Sequence, residues 1–147
     1  MNNIDRKQAV ENVKNAAAQR VNVLRQYAAI KAAYRDLTER MRNCRMRASL
    51  YYSPLYALLI PGCGPALHEQ ITAEKMALKD EAISLDLRAA ALETMKVNAQ
   101  NNLHQAVEAI SNLNTGDMMA DLEAEVEALG ILEQMNRDEK AIAAAYV

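Results

Sequence analysis

An all-α fold follows from three features of the sequence. Its 147 residues include no tryptophan and no phenylalanine, and Ala, Met, Leu, Glu, Gln and Arg, all strong helix formers, supply much of the chain. Helix breakers are confined, with all three prolines and two of the four glycines falling between residues 54 and 65. Outside that stretch, apolar residues recur at steps of three and four over long runs. Such a chain suits long helices that meet through small residues. The expected architecture is a long antiparallel, coiled-coil-like helical hairpin with a third, acidic C-terminal helix, in a single helical domain spanning 1–147.

The first helix is expected over about 4–50, a run without Gly or Pro. Its apolar positions are Val10, Val13, Ala17, Val21, Leu24 and Ala28, then Ile30, Tyr34, Leu37, Met41, Cys44 and Ala48, with one slip near Ile30. At 1.5 Å per residue it would extend roughly 70 Å, which calls for a packing partner along its length.

The second helix is expected over about 66–113, with a cleaner heptad. Leu78, Leu85, Leu92, Leu103 and Ile110 form a helix-packing seam in which large residues alternate with Ala82, Ala89, Ala99 and Ala106. Lys96 is the one charged member of that series, placed to set register or to snorkel outward.

"NLNTGD" at 112–117 marks the next break, with Gly116 as turn residue and Thr115 or Asp117 as candidate N-cap. The third helix is expected over about 117–145, with an apolar stripe of Met119, Leu122, Val126 and Leu129 and a weak point at Gly130. From Asp117 onward, eight Asp/Glu stand against two Lys/Arg. Residues 1–50 instead carry 11 Lys/Arg against four Asp/Glu, so the basic first helix is the natural partner of the acidic third, within one chain or between subunits.

Between the first two helices lies an apolar, Pro/Gly-containing tip, 51–65. It is longer than a helix–helix connection needs. Tyr51, Tyr52, Leu55, Tyr56, Leu58, Leu59 and Ile60 form the expected membrane or partner contact, behind a basic collar of Arg40, Arg42, Arg45 and Arg47. The tip can pack on its own neck or on a neighbouring subunit. Alternatively it can meet an anionic membrane, with the arginines at head groups and the tyrosines at the interface. Pro54, Pro61 and "PGCGP" break any continuous helix there, so one copy is poorly suited to span a bilayer and an oligomer clustering its tips is better suited. Sequence-specific nucleic-acid binding is not expected, because no recognisable module accompanies the arginines.

No catalytic or metal-ligating pattern stands out, and neither a cofactor nor enzymatic activity is expected. "PGCGP" lacks the strand and the Gly-Lys-Ser/Thr of a phosphate loop. Neither His68 nor His104 follows a Glu at the spacing of a di-metal bundle site. The acidic "DLEAEVEALGILE" has no calcium-loop spacing. Cys44 and Cys63 have no metal or CxxC spacing, and are expected as reduced thiols or as a bridge across the hairpin neck after export. The opening "MNNIDRKQAV" lacks the apolar run of a secretory signal, so synthesis in the cytoplasm without a signal peptide is expected.

With its small size, the helix "KNAAAQRVNVLRQYAAIKAAYRDL" and the apolar tip, the chain resembles in general character the small α-helical internal virion or ejection proteins of short-tailed bacteriophages. That resemblance implies a virion-associated structural subunit that acts at the host envelope during DNA ejection. No functional residue is carried over from it. The expected partners are further copies of the chain and other subunits of the assembly. The alternatives are a membrane-active secreted translocator or pore-former using the same tip, and a soluble coiled-coil adaptor of a secretion machine.

Overall fold

The structure, a computed structural model, describes residues 3–51 and 64–145. It is all-α: α1 (Asn3–Tyr51), α2 (Gly64–Ser111) and α3 (Met118–Ala145), with α1 and α2 forming a helical hairpin. Among the described residues there is no strand. Of the tip, Tyr51 is described as the last residue of α1; Tyr52, Leu55, Tyr56, Leu58, Leu59 and Ile60 lie outside the described residues, as does Cys63.

Helix ends follow local chemistry. α2 starts at Gly64, ahead of the sequence expectation, because Pro65 is accommodated in a first turn whose N–H groups have no intrahelical acceptor. The turn before α3 uses Gly116 at φ 91°, a conformation that side chains with a Cβ rarely adopt. Asp117 is the N-cap. Its Oδ1 accepts the Ala120 N–H at 3.2 Å and its carbonyl accepts the Asp121 N–H at 3.0 Å. Thr115 has a different task, donating its N–H (3.1 Å) and its hydroxyl (2.7 Å) to the two oxygens of Asp121. These bonds, above all the hydroxyl's, hold the Asp121 carboxyl below its ordinary value, and nearby Arg6 adds to the effect.

The chain divides into two compact units, one comprising the residues up to Ala29 and those from Ala90 onward, the other Ile30–Ala89. The first contains three helical segments, so α1 buries a broad arc there: Ala9, Val13, Ala16, Ala17, Val21 and Val23. Adjacent Ala16 and Ala17 are both buried because α1 has a neighbour on two sides. α2 contributes Leu103, Ala106 and Ile110 to this core, and α3 contributes Ala128, Met135 and Ile142. Leu92 is also fully buried.

The second unit is a two-helix seam. Its core is Leu37, Cys44 and Ala48 of α1 against Ile71, Leu78 and Leu85 of α2. α1 here buries Ile30, Leu37, Cys44 and Ala48, with Ala33, Tyr34 and Tyr51 partly buried along the same face, as expected of a helix with a single partner.

α3 packs through a face other than the one its large apolar residues suggest. Ala124, Ala128, Met135 and Ile142 are buried, while Met119 (68 %), Leu122 (49 %), Val126 (66 %) and Leu129 (58 %) are exposed. The reason is steric. Ala128 shares a core with Ala9, Ala16 and Ala17 of α1, small residues of the kind that admit close helix packing, and the bulkier stripe is left on the opposite side. Polar anchors fix the same orientation, since Arg6 reaches Asp121 at 3.4 Å and Arg20 reaches Glu139 at 2.7 Å.

Candidate interaction surfaces

The collar arginines divide by helical position. Arg40 and Arg47, seven residues apart, lie beside the packed face of α1 and pair across the seam with Glu81 and Glu74 of α2. Arg40 also reaches Asp36 at 3.3 Å, and the bonds to Glu81 and then Asp36 raise its already high pKa. Arg42 and Arg45 are exposed instead. Among the described residues Arg42 pairs with Glu39 one turn back (3.4 Å) and Arg45 makes no ion pair. Met46 (60 %) and Leu50 (61 %) are exposed beside them. At the neck, Tyr51 and His68 lie ring against ring at 5.9 Å. Cys44 is buried on the inner face of α1 as a free thiol, away from the outward arginines.

The first unit contains a cleft of about 320 Å³ lined by Val23, Leu24, Tyr27, Lys96 and Ala99, with the Arg20–Glu139 pair at its edge. The Lys96 ammonium lies 5.5 Å from the centre of the Tyr27 ring, so this charged member of the heptad extends outward and covers an aromatic face. The Tyr27 hydroxyl donates to Glu93; that bond, then desolvation, then the nearby negative charge push the phenol up to about 12. In the second unit the Tyr34 hydroxyl donates to Asp86 and is raised in the same way. Each tyrosine thus ties α1 to α2 as a neutral donor on a carboxylate, an arrangement that fixes register and offers no base or nucleophile near neutral pH.

Among the described residues no group of three or more His, Cys, Asp or Glu side chains is arranged to hold a metal ion. His104 is exposed beside Glu108 at 3.9 Å. No helix among the described residues is long and apolar enough to cross a membrane.

The seam residues Leu78 and Leu85 are buried in the second unit, and Leu92, Leu103 and Ile110 in the first. The outward side of α2 was not apparent from that seam. Met76 (63 %), Ile83 (58 %) and Leu87 (67 %) are exposed at heptad positions opposite Leu78 and Leu85. A second three-and-four register through 76, 80, 83 and 87 was the available signal, interrupted only by Asp80. With the outward stripe of α3, it makes two exposed apolar helix faces. Comparison with protein-family models, with curated proteins and with solved structures finds no match.

Proposed function

We propose that this chain is a non-enzymatic structural subunit of a larger homo-oligomeric assembly, of the virion or ejection type, whose apolar tip packs within the assembly or contacts the host envelope. The observation that carries the reading is the exposed stripe of α3. Met119, Leu122, Val126 and Leu129 hold heptad spacing and are exposed, and contiguous apolar surface of this kind marks a partner site. The tyrosine and arginine bonds that pin α1 to α2 support a scaffold role, since they secure helix register. The uncharged run from Ala48 to Leu67 supports the part of the reading that concerns the tip.

Flotation on anionic vesicles, with light scattering on the same sample for mass, tests this reading. The expected result is an oligomer that floats, with flotation lost and helicity kept in Leu58→Asp/Leu59→Asp. An oligomer that never floats makes the tip a packing element and removes the envelope role. A chain that stays monomeric at every concentration refutes the subunit reading.

A further inference from the structure

We infer that the α1–α2 seam of the second unit opens as a unit of its own while the three-helix unit stays folded, uncovering one apolar face on each helix. The two units are held by cores of different construction. In the first, α1 is covered on two sides, since Ala16 and Ala17 are adjacent and both buried, and α2 and α3 each supply part of the core. Releasing α1 there uncovers contacts with both neighbours. In the second, among the described residues, Leu37, Cys44 and Ala48 meet Ile71, Leu78 and Leu85 along one face of each helix. No part of α3 belongs to this unit, and α2 is exposed at Met76, Ile83 and Leu87. Helices draw most of their stability from tertiary packing, so a helix held along one face is released by the loss of that face alone.

Polar ties do not offset this difference. Across the second seam Arg40 pairs with Glu81, Arg47 pairs with Glu74, and the Tyr34 hydroxyl donates to Asp86. These groups lie on the wet rims of the seam, with the Arg40 and Glu81 side chains 43 % and 40 % exposed. Pairs so exposed fix register and contribute little to stability. The Arg6–Asp121 pair that fastens α3 to α1 in the first unit is shielded, at 17 % and 13 %. The buried residues also fall into two separate clusters, and the apolar line of α1 slips between Ala28 and Ile30, where the units divide. One cluster can therefore come apart without drawing on the other.

Opening has a reporter within the chain. Cys44 is buried in the middle of the seam, so its thiol meets a reagent only when α1 and α2 part. The open form presents Leu37 of α1 and, at seven-residue steps, Ile71, Leu78 and Leu85 of α2, apolar surface that the closed form conceals.

The test uses the full-length chain at a concentration where it is monomeric. Native-state hydrogen exchange read by mass spectrometry should show the amides of 37–48 and 71–85 exchanging at least about tenfold faster than those of 13–24 and 99–110. Thiol labelling of a Cys63→Ser variant, in which Cys44 is the one remaining cysteine, follows the same opening. Leu78→Ala should speed that labelling by at least about 30-fold, the low end for such a truncation, and leave exchange over 13–24 unchanged. Leu103→Ala, in the core of the first unit, should speed exchange over 13–24 and leave Cys44 labelling unchanged. Equal protection of the two sets of amides overturns the inference and makes the chain one cooperative unit. So does Cys44 labelling accelerated as much by Leu103→Ala as by Leu78→Ala.

Discussion

Residues 128 and 129 are neighbours in sequence with opposite environments, and one pair of substitutions exploits the contrast. Ala128 is 4 % exposed and belongs to the core that includes Ala9, Val13 and Ala106, whereas Leu129 is 58 % exposed. Ala128→Asp places a carboxylate where no buried polar or charged residue is described. A buried charge without a partner costs about 3–5 kcal/mol, against a total domain stability of about 5–15 kcal/mol. Leu129→Asp leaves the core untouched; it costs about 0.5–1 kcal/mol, mostly from the lower helix propensity of Asp. For a chain of this size each kcal/mol moves Tm by about 2–4 °C, so Ala128→Asp should lower it by about 6–20 °C and Leu129→Asp by no more than about 4 °C. Thermal melts followed by circular dichroism at a concentration where the native chain is monomeric read this directly. Hydropathy alone predicts the reverse order, since it values a leucine above an alanine. Observing that reverse order would show that α3 packs through Met119–Leu129 and would remove the basis for the proposed partner surface.

The two glycines near α3 should respond to alanine with opposite signs. Gly116→Ala should destabilise by about 1–2 kcal/mol because φ is 91° there, while Gly130→Ala, with nothing within 4 Å of the added Cβ, should stabilise by about 0.5–1 kcal/mol in denaturant titration. The Asp121 carboxyl is held below its ordinary value of 3.8, so its contribution is present above that pH and is lost as pH falls through the lower folded value. Asp121→Asn should therefore flatten the acid limb of the stability profile, and an unchanged limb would refute the assigned role. The Tyr27 phenol, pushed up to about 12, should remain protonated in an ultraviolet titration where free tyrosine ionises; Glu93→Gln should return it toward 10.

Much of the backbone was legible because long helices announce themselves through period and breaker placement. The slip near Ile30 even coincides with the boundary at Ala29/Ile30, where α1 leaves the three-helix unit. The orientation of α3 was not legible. Two stripes compete along that helix, and large residues make the louder one; the choice between them depends on how closely alanines let two backbones approach. The collar was legible as four arginines but not as two pairs, because pairing depends on which residue of α2 lies opposite. Glu74 and Glu81 repeat at the same seven-residue interval as Arg40 and Arg47, a regularity visible only once the antiparallel register is fixed. The outward face of α2 was obscured by Asp80, which interrupts its apolar pattern.

The charge asymmetry between the two ends of the sequence has two parts that do different work. Arg6, Arg20, Arg40 and Arg47 flank buried faces and pair with carboxylates of α2 or α3, so they help set which faces meet within the chain. Glu123, Glu125 and Glu127 contribute nothing of that kind, and neither do Lys75, Lys79 and Arg88. Glu123 and Glu127 nevertheless share a cleft with Arg6 and Lys7 of α1, so the acidic third helix and the basic first face each other beyond the ion pairs they close.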